Sequence, residues 1–200
     1  MTAQKIIAFD LDGVLVDLIP GLCKMCERLT GLSVSPEEWI AYDYFIRLGI
    51  SYEEFVHGHV TDNVLETAIL YSGVTEIIAT LQQRGFKIAI ITARGSHPEG
   101  EAITRATLHT AGITVDHLLL VAMDETKVMA MKALQQHGVV VGYIDDYPEH
   151  LHALQAATPE IELFLMDRPW NKQDTTFSRL SSVEHFAQLI NNLNLPGAPK

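Results

Sequence analysis

Short apolar runs that alternate with helical patterns are the feature that most constrains how this chain can fold. Five runs have the length of buried strands, at residues 6–9, 86–91, 118–121, 139–144 and 160–166. Helical patterns separate them from residue 73 onward, at about 73–84, 99–111, 125–137, 148–156 and 182–193. Alternation of this kind is typical of parallel sheets. The sequence therefore predicts an α/β fold, a parallel sheet with helices on both faces.

Two carboxylates follow the first of these runs. Asp10 and Asp12 are spaced by two, so strand alternation would aim both side chains to the same side. Gly13 comes directly afterwards and lets the chain turn and a ligand approach the backbone closely. Such a pair can hold a cation or start a reaction, and the alternative is an ordinary strand followed by an Asp-Gly turn.

Three other runs also end in groups suited to phosphate chemistry. One runs into Thr92-Ala93-Arg94, the next is followed by Lys127 near a helix start, and the third ends in Asp145-Asp146. Lys127 is preferred to Lys132 because it lies nearer the end of its strand. Ligands of open α/β sheets bind just outside the carboxyl ends of the strands, so these groups are expected to share one crevice.

The charges in such a crevice favour a cation. A phosphate monoester is a dianion, and a carboxylate can attack its phosphorus only if the repulsion between them is offset. Two unit charges at 4 Å interact by roughly 4 kcal/mol at an effective dielectric near 20. Magnesium prefers oxygen ligands and takes one or two carboxylates beside phosphate. Asp10 with Asp145 or Asp146 fits that demand.

The ordered series DLDGVL, ITAR, an isolated lysine and IDD resembles the four signature motifs of the haloacid dehalogenase superfamily in its phosphatase form. The resemblance covers about residues 5–168 and implies a Rossmann-like sheet. It implies that Asp10 is the nucleophile and a Mg²⁺ ligand. Asp12 would be the general acid and base, with its backbone carbonyl on the metal. Asp145, followed closely by Asp146, is the leading further metal ligand, and the phosphoryl group would be held by Thr92, Ala93, Arg94 and Lys127.

The interval between the first motif and residue 73 shows helix starts and no convincing strand. Ser35-Pro36-Glu37-Glu38 and Ser51-Tyr52-Glu53-Glu54 both have the pattern of a capping box. Helices are expected at about 17–29, 36–47, 52–59 and 62–71. We therefore predict a small helical cap at 17–72, an α/β core formed by 1–16 and 73–194, and a loose tail at 195–200. A cap inserted there could close over the phosphate site and exclude water.

Aromatic residues are concentrated in this cap. Trp39, Tyr44 and Phe45 are candidates for the substrate pocket, where a ring could stack on a flat base, although most such aromatics would form the cap's own core. The later stretch Asp167-Arg168-Pro169-Trp170-Asn171 resembles the DRPxN segment of the 5′(3′)-deoxyribonucleotidase branch. The alternative for Arg168-Pro169-Trp170 is a strand-to-loop corner with a surface aromatic.

The resulting expectation is a Mg²⁺-dependent phosphomonoester hydrolase, with a nucleoside monophosphate as the first choice of substrate. A sugar-phosphate phosphatase or phosphoglucomutase-like enzyme is the alternative within the same chemistry. Outside enzymes, the alternative is a phosphate-binding regulatory module.

Composition restricts the partners and the compartment. The net charge of −11 argues against binding to a nucleic-acid polymer or to an anionic membrane, and leaves a small phosphorylated metabolite as the expected partner. The N-terminus passes directly into a strand without a signal-peptide layout, which predicts a cytoplasmic protein. Cys23 and Cys26 form a C-x-x-C without a second pair, so two ordinary helix cysteines are favoured over a redox or zinc site. His57 and His59 are expected at the surface.

Overall fold

A computed structural model describes residues 3–192, with side chains as far as residue 189. In chain order its strands and α-helices are β1 (Lys5–Phe9), β2 (Val16–Asp17), α1 (Ile19–Thr30), α2 (Tyr44–Arg47), α3 (Tyr52–Thr61), β3 (Ile69–Leu70), α4 (Val74–Gln83), β4 (Lys87–Thr92), α5 (Gly100–Thr110), β5 (His117–Leu120), α6 (Val128–Leu134), β6 (Val139–Asp145), α7 (Pro148–Ala157), β7 (Glu162–Met166), β8 (Ser178–Leu180) and α8 (Val183–Asn192). Short 3-10 turns lie at Pro36–Glu38, Val64–Thr67, Arg94–Ser96 and Pro169–Asn171.

Six of the strands form one parallel sheet in the order β5-β4-β1-β6-β7-β8. Alternate side chains of β1 pack into two different hydrophobic clusters, because successive side chains of a strand point to opposite faces of the sheet. Ile7 and Phe9 pack with α4 and α8 on one face. Ile6 and Ala8 pack with α6 and α7 on the other. The predicted α/β fold with a helix-covered parallel sheet is confirmed.

The segment between β2 and β3 is mainly helical and has its own apolar cluster. Residues from α1, α2 and α3 pack there around Cys26, Trp39 and Phe55. β2 and β3 form a two-stranded antiparallel ribbon where the chain leaves the sheet and returns. That residues 17–72 act as a separate cap domain stays a prediction, and the predicted loose tail at 195–200 lies outside the described residues.

Two of the predicted helices in this segment differ from the structure. The helix at 62–71 is wrong: Asn63 has a φ of 49°, a 3-10 turn follows, and Ile69–Leu70 form β3. The helix at 36–47 is interrupted, because Trp39 leaves the helical conformation, with a ψ of 71°, and is buried in the cluster. The capping box at Ser51 is confirmed, with Ser51 Oγ accepting from the Glu54 amide at 3.2 Å.

The remaining predicted elements agree with the structure except in their ends. The helix at 125–137 is shorter, at Val128–Leu134, because residues 124–126 form a loop in which Glu125 accepts from the Ala122 amide at 3.2 Å. β8 was not predicted. Within residues 3–192, no helix is both long and apolar enough to cross a bilayer.

Candidate active site

The carboxyl ends of three neighbouring strands meet at the centre of the sheet. β1 lies between β4 and β6. Asp10, directly after β1, therefore lies between Thr92 at the end of β4 and Asp145 at the end of β6. The Asp10 amide donates to the Ile144 carbonyl at 2.8 Å, which fixes the residue to β6. All three side chains are buried, so any chemistry here takes place away from bulk water.

Lys127 connects two of the acidic side chains. Its Nζ lies 2.7 Å from Asp10 Oδ1 and 2.9 Å from Asp145 Oδ2, and the side chain is 1% exposed. Burial disfavours the ammonium, but the two carboxylates outweigh it and raise the pKa of Lys127 above its usual value. Lys132, the alternative for the lysine of the third predicted motif, is exposed. The structure therefore brings Lys127 to the crevice as a permanent cation.

Asp10, Asp145 and Asp146 form a buried acidic cluster. One carboxylate oxygen from each lies within 4.8 Å of the others. Burial and then the neighbouring charge of Asp145 raise the pKa of Asp146 to about 7, and burial raises that of Asp10 well above its ordinary value. Lys127 alone does not balance these carboxylates. Oxygen donors with excess negative charge are what Mg²⁺ prefers, so these residues fit the metal that the motifs imply.

The two adjacent aspartates have different surroundings. Asp145 is fully engaged: Oδ2 accepts from Lys127 and from the Tyr143 hydroxyl, and Oδ1 accepts from the Tyr147 amide at 2.9 Å. Burial opposes its charge, but Lys127 and these hydrogen bonds hold the pKa of Asp145 below the usual range. Asp146 Oδ2 accepts from Trp170 Nε1 at 2.7 Å. Both Asp145 oxygens thus have protein partners, whereas the side-chain hydrogen bond of Asp146 engages Oδ2.

Asp12 faces a different cation. Arg94 Nε donates to Asp12 Oδ2 at 2.8 Å and Arg94 Nη2 donates to Oδ1, which is a bidentate pair. Arg94 is 3% exposed, and its Nη1 also donates to Thr104 Oγ1 at 3.3 Å. The structure thus places Arg94, predicted as a phosphate-binding residue, against the predicted general acid. The role of Arg94 toward phosphate stays a prediction.

Thr92 presents a hydroxyl that the protein itself does not satisfy. Its side chain is fully buried, and Oγ1 has no hydrogen-bond partner among the residues that the structure describes. Buried polar atoms normally have partners, so an unmet one at a strand end points to a ligand atom. Gly13 allows the backbone after Asp12 to pack closely against Asp146, because a Cβ at this position would lie 2.3 Å from Asp146 Oδ2. Its φ of +75° also favours glycine.

The DRPWN stretch forms hydrogen bonds to the two loops that carry Gly13 and Asp146. Asn171 Nδ2 donates to the Asp146 carbonyl at 2.7 Å, and Arg168 Nε donates to the Gly13 carbonyl at 2.6 Å. Trp170 is therefore more than a surface aromatic, because it also contacts Asp146. These supporting roles of Tyr143, Trp170 and Asn171 were not predicted from the sequence. For Tyr143 the usable signal was its position two residues before Asp145 on the same side of β6, and for Trp170 and Asn171 it was the DRPxN resemblance, which did not indicate a contact with Asp146.

A cavity of about 390 Å³ lies over this site, between the helical segment and the ends of the strands. Trp39 and Phe45 line it, as does Ala93. Tyr44, the third aromatic assigned to the substrate pocket, is not among the described lining residues; its ring packs on Trp39 with centroids 5.4 Å apart. Phe55 also lines the cavity and stacks on Phe45 at 3.9 Å.

The two cysteines take no part in the site. Cys23 and Cys26 are free and buried on α1. Burial raises the pKa of each thiol to about 11, so neither is a thiolate at neutral pH. This agrees with two ordinary helix cysteines.

Comparison with known proteins identifies the family. A model of the haloacid dehalogenase-like hydrolases matches residues 4–158. The chain belongs to this family and is a hydrolase. No curated protein matches the sequence significantly.

Solved structures share the fold at low identity. A putative phosphoglycolate phosphatase from Lactobacillus delbrueckii subsp. bulgaricus is 13% identical with a TM-score of 0.68, over 94% of this chain and 99% of that chain. A putative beta-phosphoglucomutase from Thermotoga maritima is 16% identical with a TM-score of 0.63, over 95% and 99%. Protein Tyrosine Kinase A from Mycobacterium tuberculosis is 15% identical with a TM-score of 0.69, over 94% and 98%. At these identities the likeness concerns the fold.

Proposed function

We propose that this hydrolase is a Mg²⁺-dependent phosphatase of small phosphomonoesters that works through an aspartyl-phosphate on Asp10. The observation that carries the proposal is the burial of Asp10 between Lys127, at 2.7 Å, and the acidic pair Asp145-Asp146. A carboxylate held there has a cation beside it and room in the cavity for an ester above it.

The proposed reaction has two displacements. In the first, an Asp10 oxygen attacks phosphorus, the bond from phosphorus to the ester oxygen breaks, and the Asp12 carboxyl, carrying a proton in place of one of its two contacts with Arg94, gives that proton to the leaving oxygen. In the second, Asp12 takes a proton from water as the water oxygen attacks phosphorus and releases Asp10. Arg94 orients the Asp12 carboxylate through its bidentate contact, and Lys127 with the Thr92 hydroxyl binds the phosphoryl oxygens.

The metal would be held by Asp10, by the backbone carbonyl of Asp12 and by Asp146, with Asp145 supporting through Lys127 and Tyr143. Bound Mg²⁺ supplies positive charge that offsets the repulsion between the phosphate and the carboxylates. The preference for Asp146 over Asp145 follows from their hydrogen bonds, since both Asp145 oxygens are already engaged.

For the substrate we propose a nucleoside monophosphate. The aromatic lining formed by Trp39, Phe45 and Phe55 supports a flat leaving group, and the DRPWN stretch agrees with the deoxyribonucleotidase branch. A sugar-phosphate would bring several hydroxyls into this mostly apolar lining, where unpaired polar groups are costly.

The test is phosphate release from p-nitrophenyl phosphate with Mg²⁺ and with EDTA, using wild type, Asp10→Asn and the exposed-site control Asp124→Asn. We expect Mg²⁺-dependent release by wild type and Asp124→Asn and none by Asp10→Asn. Substantial turnover by purified Asp10→Asn would exclude the covalent mechanism.

A further inference from the structure

Two histidines, His59 and His97, are among the polar residues that line the cavity. Much of the remaining lining is aromatic or aliphatic, including Trp39, Phe45 and Phe55. His59 enters from α3, and His97 enters from the chain that follows the turn at residues 94–96. The two rings therefore approach from the helical segment and from the sheet domain.

Both rings have a nitrogen that the protein leaves unmet. The Nε2 atoms of His59 and His97 are buried and have no hydrogen-bond partner within the part of the chain that the structure describes. The same is true of Thr92 Oγ1, which lies at the proposed phosphate site. Of the four unmet side-chain atoms in the described residues, two belong to His59 and His97, which line this cavity, and Thr92 directly precedes Ala93, which also lines it, while Arg84 lies elsewhere. Unmet atoms beside a cavity are expected where a ligand provides the missing partners.

The protein determines which hydrogen bond His97 offers. Its Nδ1 accepts from the Glu99 amide at 3.1 Å. In the neutral ring the proton must then be on Nε2, so this atom is a donor and requires an acceptor such as a carbonyl oxygen or a ring nitrogen.

The expectation that His59 lies at the surface is wrong, because its ring is mostly buried and is held neutral. Burial lowers the pKa of His59 to about 4, so at neutral pH one ring nitrogen donates and the other accepts. Its ring packs on Phe55 with centroids 4.6 Å apart, which restricts its orientation. Phe55 in turn stacks on Phe45, so the imidazole adjoins the aromatic surface of the cavity.

We infer that His59 and His97 determine the specificity of the cavity, by hydrogen bonding to the polar edge of a flat aromatic leaving group that packs on Phe45 and Phe55. His97 Nε2 donates to an acceptor on that edge, and His59 forms the second hydrogen bond. The substrate class is a phosphomonoester whose leaving group combines a planar ring with an edge acceptor. This inference rests on the proposed phosphatase function.

The test compares substrates whose leaving group has a hydrogen-bond acceptor on the edge of its ring with a substrate whose ring has none. Values of kcat/KM are measured for the four deoxynucleoside 5′-monophosphates and for phenyl phosphate, whose ring has no acceptor. The variants are His97→Leu, His97→Gln, His59→Leu and the control His57→Leu, which lies on the same helix but is exposed. Thermal unfolding verifies that each variant is folded.

We expect His97→Leu and His59→Leu to lower kcat/KM for the best nucleotide by about tenfold to a hundredfold, because the polar atom on the bound substrate would lose its partner while it stays buried. Phenyl phosphate should change by less than about threefold, since it never used those bonds. His97→Gln should recover part of the loss, because its amide still donates, and His57→Leu should match wild type.

Equal losses on nucleotides and phenyl phosphate would overturn the specificity role. Hydrolysis of phenyl phosphate but of no nucleotide by wild type would also overturn it, while leaving the phosphatase intact. Absence of Mg²⁺-dependent release from every substrate would instead overturn the proposed function, and the inference with it.

Discussion

Replacing Asp146 with Asn should stabilise the metal-free protein while it weakens metal binding. Burial and the nearby Asp145 charge raise the pKa of Asp146 from 3.8 to about 7, so the folded protein holds an ionised carboxylate at a cost. The shift is about 3 pKa units, and at about 1.4 kcal/mol for each unit the full cost is on the order of 4 kcal/mol. Asn has similar size and no charge, and its carbonyl oxygen can still accept from Trp170.

The pH dependence of this effect has a defined sign. A carboxyl whose pKa is raised by folding does not change the free energy of unfolding below pH 3.8, where it is protonated in both the folded and the unfolded state. Above about pH 7 it lowers the free energy of unfolding by the full amount. The advantage of Asp146→Asn should therefore be complete at pH 8, decrease as the pH falls and vanish near pH 4. For a chain of this size about 4 kcal/mol corresponds to a rise in Tm of roughly 10 °C.

The assay is thermal unfolding in EDTA across this pH range, with Asp124→Asn as an exposed carboxylate control. Mg²⁺ at a hundred times its Kd should then stabilise wild type by about 2.7 kcal/mol and the variant by much less. A variant that is no more stable than wild type at pH 8 without metal, or that keeps its advantage at pH 4, would refute the electrostatic argument.

Three further substitutions test other parts of the site. Asp10→Asn should lower kcat by about 10⁴-fold or more while the fold is kept, as judged by circular dichroism. Lys127→Met should destabilise the metal-free protein by about 3 to 5 kcal/mol in chemical denaturation at neutral pH, because two buried carboxylates lose their partner; a change near zero would contradict that. Arg94→Lys should lower kcat more than it raises KM, since lysine cannot make the bidentate contact with Asp12, and an unchanged kcat would exclude the orienting role.

The central part of the site could be predicted from the sequence because strand ends are encoded locally. The apolar runs before Asp10, Thr92 and Asp145 identify buried strands, and parallel strands bring their carboxyl ends together. The helix start near Lys127 was enough to choose it over Lys132, which is exposed.

The parts that were missed depend on contacts between distant residues. β2 and β3 have two residues each, too few for a period-two pattern, and they exist because they pair with one another. The partner of Arg94 lies 82 residues away, so its bond to Asp12 is set by the assembled sheet. Tyr44 and Phe45 are adjacent aromatics, and only the packing of α2 decides which one reaches the cavity.

The short ribbon of β2 and β3 links the helical segment to Asp12, the proposed proton donor. Asp12 forms a bridge with Val16, the first residue of β2, and the Gly13 amide donates to the Val16 carbonyl at 2.8 Å. The helical segment thus joins the sheet through a ribbon whose first bridge is made by Asp12. The ribbon therefore connects the position of the helical segment to the backbone at Asp12, the proposed acid, so a displacement of the one would be felt at the other.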